Sequence, residues 1–141
     1  MTSSSPHAGS ATRSSLDDGQ RALVGMETLL AIAAFAGSCG LISGSVDTSS
    51  YADRLPLSSP ALGGVALALV VALPAAFAVT GALCRRAWAR HLHPVVGGLL
   101  MGWIVVQVGV IGLDSWLQPV MFAWGAVVAF LGIRNLQRAA P

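Results

Sequence analysis

The chain has 141 residues, of which 55% are hydrophobic and 10% charged, and its mean hydropathy is +0.72. A soluble domain carries roughly a quarter charged residues, which argues against a globular soluble enzyme, and so apolar a chain is not disordered as a whole. The net charge of +2 comes from eight arginines, no lysine and six acids, too sparse for a nucleic-acid-binding face.

The placement of those charges defines the fold class. Four windows hold none: Thr28–Val46 (19 residues), Leu55–Cys84 (30), Pro94–Leu113 (20) and Ser115–Ile133 (19). Each reaches the ~18–20 apolar residues that a helix needs to cross a bilayer. The predicted architecture is an all-α polytopic membrane protein, its four transmembrane helices packed as two antiparallel hairpins.

Residues 1–20 read as a flexible Ser/Thr-rich tail, with Ser15 and Asp18 fitting a capping box at a helix start. The tail is not a secretory signal, because the apolar stretch begins too late and runs too long. The transmembrane domain covers residues 21–138, with spans at about 22–45, 60–84, 94–113 and 117–135. Ser59–Pro60 is a cap followed by proline at the first helical position. Pro74 is expected to kink the second span and to free the carbonyl of Val70. The connector Arg85–His93 holds three arginines and two histidines, and Pro94 is read as opening the third span. A tight turn at Asp114–Gln118 leads into the fourth.

Seven of the eight arginines fall in the two tails and the middle connector, and Arg54 alone falls on the other side. The positive-inside rule then predicts a plasma-membrane protein with both termini and the middle connector cytoplasmic. Arg85, Arg86, Trp88 and Arg90 form a cationic, aromatic strip suited to anionic lipid headgroups. Association in lipid depends on small residues; Gly37, Gly40 and Gly44 on span one and Gly98 and Gly102 on span three are the expected packing positions. The expected partners are the lipid bilayer and either a second copy or another membrane protein.

Few polar residues are available for chemistry. Gln107 lies ~20 Å along span three from Pro94 and is expected to be buried as interhelical glue, on one face with Trp103 and Asp114. His93 and Leu100 extend that face. Asp114 is read as a solvated turn residue. Thr28–Val46 alone suffices to span, which leaves Glu27 at the membrane boundary; a helix beginning at Ala22 makes it instead a shallow membrane carboxylate poised to bind a proton. His91 and His93 read as solvated interfacial side chains. Cys39 and Cys84 fall toward opposite surfaces, more than ~15 Å apart, too far for a disulfide. No nucleophile–base pair, metal-ligand spacing or phosphate loop is visible, so neither a cofactor nor a metal nor an enzymatic activity is expected.

Leu57–Pro60 (LSSP), Gly97–Gly98 followed by GWIVVQ at 102–107, and Gln118–Pro119 give the chain a pattern that resembles small uncharacterised four-helix integral membrane proteins of actinobacterial type, over about Ala22–Ile133. The resemblance implies a fold rather than an activity. The chain is also similar in size and span count to small multidrug transporters, which use a membrane-embedded Glu in their first helix. Glu27 is the one candidate counterpart, and it is too shallow in the first span and lacks the surrounding motif. The first functional expectation is a non-enzymatic accessory or self-associating helical bundle; the alternative is a small proton-coupled transporter or permeability factor using Glu27 and the Gln107 face.

Overall fold

The computed structural model describes residues 18–49, 59–113 and 115–139, so Asp114, Ser15 and most of the connector before span two lie outside it. Among the described residues there are four long helices: α1 (Asp18–Ser43), α2 (Pro60–Leu83), α3 (Ala89–Ile111) and α4 (Leu117–Ala139). All four are long and apolar enough to cross a membrane.

The inner face of α1 is Leu23, Glu27, Leu30, Ala34 and Ser38, spaced by three and four residues as one stripe of a 3.6-residue helix must be. Gly44, with φ +72°, ends the helix in the left-handed region. The Ser45 and Val46 amides both turn back to the Gly40 carbonyl, at 3.0 and 3.4 Å, a closure that such a left-handed residue permits.

Pro60 occupies the first turn of α2, as the sequence predicts. The other proline has a more specific consequence. Residues Ala68–Ala72, just before Pro74, form a π-helical turn, in which the Leu73 amide reaches five residues back to the Ala68 carbonyl. Pro74 has no N–H to give to Val70, and the wider turn takes up this break in the ladder. Val71 and Ala72 in that turn are buried in the core. The helix ends with Arg85 at φ 54° while the Arg86 amide bonds the Gly81 carbonyl at 2.9 Å.

Helix α3 begins at Ala89, five residues earlier than expected, and Pro94 lies inside it. So near the start, the missing N–H costs only the bond to the carbonyl of Arg90, an exposed residue. Helix α3 lies most closely against α4, and α1 against α2. Cβ atoms placed on Gly97 and Gly132 would run into the Ala129 nitrogen and the Pro94 nitrogen, so bare backbone meets backbone along this seam. Between α1 and α2 the equivalent contact is Gly64 against the carbonyl of Ser38, whose hydroxyl donates to the Gly64 carbonyl at 2.7 Å. Leu30, Ala34, Val71, Ala75, Val96 and Leu100 fill the interior.

Gly97→Ala should destabilise the bundle by about 1–3 kcal/mol through overpacking against immovable backbone. Gly98→Ala, one residue on and open to the outside, should stay within about 1 kcal/mol of the parent or gain from helix propensity. Unfolding of both variants in mild detergent measures the difference.

Candidate functional site

An acid on α1 and a base on α3 meet in the core. Both Glu27 and His93 are 0% exposed. His93 Nδ1 stands 2.9 and 2.8 Å from the two Glu27 oxygens, the arrangement of one N–H shared across a carboxylate. The two residues are 66 positions apart in sequence. Glu27 reaches the interior because it lies on the Leu23–Leu30 stripe; His93 does so because an α3 that starts at Ala89 puts it in line with Val96, Gly97 and Leu100. The reading of His93 as a solvated connector residue is therefore corrected, and Glu27 is buried between the helices.

The far side of the imidazole is unmatched. His93 Nε2 is buried and has no hydrogen-bond partner among the described residues. In a neutral ring with Nδ1 protonated it is a bare acceptor; in the imidazolium it is a bare donor. Glu27 with neutral His93 puts a net negative charge in the core, while the imidazolium neutralises it. Each state leaves Nε2 without a partner among the described residues. Asn135 Nδ2 is a second buried, unpartnered polar atom, three residues past Gly132, which itself abuts the His93–Pro94 backbone.

The other predicted positions are distributed differently. Gln107 is half-buried and makes no side-chain hydrogen bond among the described residues. Trp103 is half-buried with its indole N–H unpartnered. Gly37 touches Leu67 across the α1–α2 contact; Gly40 lies under Val46 of its own turn, and Gly44 serves the helix end. Gly98 and Gly102 meet nothing within 4 Å, so on the α3–α4 seam the close packing falls to Gly97, Gly125 and Gly132. Arg85, Arg86, Trp88 and Arg90 are all exposed, and the edge of the Trp88 ring also lies over Gly81, where an added Cβ would sit 2.6 Å from it. Gln118 is a polar residue that sequence reasoning did not weigh: its amide donates to the Gly112 carbonyl at 3.1 Å and ties the α3–α4 turn. Beside it, an apolar groove of about 300 Å³ runs between Ile104, Val108 and Phe122.

Outside the four long helices, the Ser49 backbone N–H donates to Asp47 at 2.9 Å and holds that carboxyl below its usual range, the Ser49 hydroxyl adding to the effect. Cys39 and Cys84 are both exposed, free thiols. Among the described residues no three His, Cys, Asp or Glu side chains come together as a metal site. No family model, curated protein or solved structure matches this chain.

Removing one partner of the buried pair strands the other. Glu27→Ala and His93→Leu should each cost about 3–5 kcal/mol of stability in detergent, whereas Glu27→Leu combined with His93→Leu should cost less than either. A double-mutant cycle of unfolding free energies reads the coupling.

Proposed function

We propose that the chain is a multi-pass protein of the plasma membrane whose activity is coupled to proton binding at Glu27–His93, in the class of small proton-coupled transporters and permeability factors. The observation that carries this reading is the fully buried pair with its unpartnered Nε2. An ionisable group within a membrane span costs ~2.5–3.5 kcal/mol or more at the helix centre, and a proton-exchanging pair is a use that justifies that cost. The four spans form two antiparallel hairpins, for which the contacts give support: Pro94 adjoins Gly132 while Met101 adjoins Gly125, and Gly37 adjoins Leu67 while Ile42 adjoins Gly64. The arginine distribution supports cytoplasmic termini and a cytoplasmic middle connector.

Proteoliposomes enclosing a pH-sensitive dye test the coupling. The parent protein should collapse an imposed proton gradient faster than empty liposomes, and Glu27→Gln should return the rate to the empty level. Equal rates for parent and variant would overturn the proposal.

A second reading, the accessory or self-associating bundle, is favoured by Gly98 and Gly102. They lie one turn apart on α3 with open space beside them, the spacing at which membrane helices approach closely. Crosslinking in native membranes should capture a complex, either a dimer or a pairing with another membrane protein, that Gly98→Leu with Gly102→Leu abolishes. A strictly monomeric protein with no co-purifying partner would contradict it.

A further inference from the structure

Glu27 and His93 are sealed unequally from the two ends of the bundle. Glu27 is six residues, ~9 Å, from Arg21, and His93 is three residues, ~5 Å, from Arg90. On that side the buried cover is one layer deep: Leu23 on α1, Ala82 on α2 and Ala89 on α3. Beyond it every element that carries ionisable groups presents them exposed. These are Asp18 and Arg21 on α1, Cys84, Arg85 and Arg86 in the connector, Arg90 and His91 on α3, and Arg134 and Arg138 on α4. Helix α2 contributes none between Pro60 and Leu83.

The opposite side is closed over a much greater depth. Leu30 and Ala34 on α1, Val71 on α2, and Val96, Leu100 and Ile104 on α3 belong to one continuous apolar cluster. The next buried polar side chain along α1 is Ser38, eleven residues or ~16 Å away, and its hydroxyl is engaged by the Gly64 carbonyl. Trp103 and Trp124 pack against the cluster with unpartnered indole N–H groups. An indole is a donor only, so neither ring accepts a proton and passes it on.

We infer that, in the conformation described, the Glu27–His93 site exchanges its proton with the Arg-rich face alone, and that His93 Nε2 is the atom that takes it up. The proton comes from water at that face as the Nε2–H bond forms and returns to water when it breaks; no electrons move. A proton is also the ligand that suits an atom with essentially no exposed surface. This deepens the proton-coupled reading and rests on it, because it assigns the side from which the same site is loaded.

Nitrogen NMR of ring-labelled histidine reads the protonation of Nε2 without any reagent having to reach it, in sealed phosphatidylethanolamine–phosphatidylglycerol vesicles that hold the protein in one orientation and whose two compartments are buffered independently. His91 is exposed on α3, two residues from His93, and reports the pH of the Arg-rich face in the same molecules. Stepping that face from about pH 8 to about pH 5, the range over which histidine ordinarily changes charge, should shift the His93 Nε2 resonance along with that of His91. The same step on the opposite face should move neither. A His93 resonance that follows the opposite face, or that is unchanged by both steps, would overturn the inference. If His93 follows His91 while Glu27→Gln leaves proton flux unchanged, the one-sided site stands and the transport reading fails. If flux is lost in Glu27→Gln but His93 follows neither face, the sidedness fails and the reading stands.

Discussion

A carboxylate and an imidazole withdrawn from water into an apolar bundle constrain everything around them. Neither is tolerable alone in such surroundings, and each removes part of the other's penalty through a charge-assisted hydrogen bond. The two belong to α1 and α3, which otherwise hardly touch, since α1 lies mainly on α2 and α3 mainly on α4. The Glu27–His93 contact therefore adds a polar link between two helix pairs that the apolar core, with Val71 and Ala75 of α2 beside Val96 and Leu100 of α3, also joins. Register along both helices follows from it, because a shift of one residue on either would rotate the polar group ~100° out of the interior.

Close backbone approach makes that burial complete. Gly132 brings α4 against the His93–Pro94 backbone, and Gly97 and Gly125 continue the contact through the next two turns. Bulkier residues there would separate α3 from α4 and open the imidazole to its surroundings. The π turn in α2 places Val71 and Ala72 in the core across from this seam. Such turns recur at functional sites, and here it follows locally from Pro74.

Much of the architecture was legible in the sequence, because the absence of charge over 19 to 30 residues marks each helix that is long and apolar enough to cross a membrane. The four helices fall close to the expected positions, and the largest discrepancy is instructive. Pro94 reads as a helix start by local rule, yet the helix starts at Ala89, since proline near an amino-terminal end removes little. That one displacement hid the site: with the helix beginning at Pro94, His93 belongs to a basic connector, whereas with five residues added it aligns with Val96 and Leu100. Its partner lies 66 residues away, beyond the reach of any local pattern. The glycines show the same limit, for Gly97 and Gly98 are adjacent in sequence but ~100° apart around the helix. The GxxxG spacing pointed to Gly98 and Gly102, and the backbone contact within the chain falls on Gly97.

Infrared difference spectroscopy of the protein in lipid bilayers addresses the buried pair most directly, by following carboxyl and imidazole bands as pH is varied. A proton site formed by Glu27 and His93 predicts a pH-dependent change that disappears in Glu27→Gln and is altered in His93→Gln. Spectra in which neither variant differs from the parent across the same pH range would contradict it.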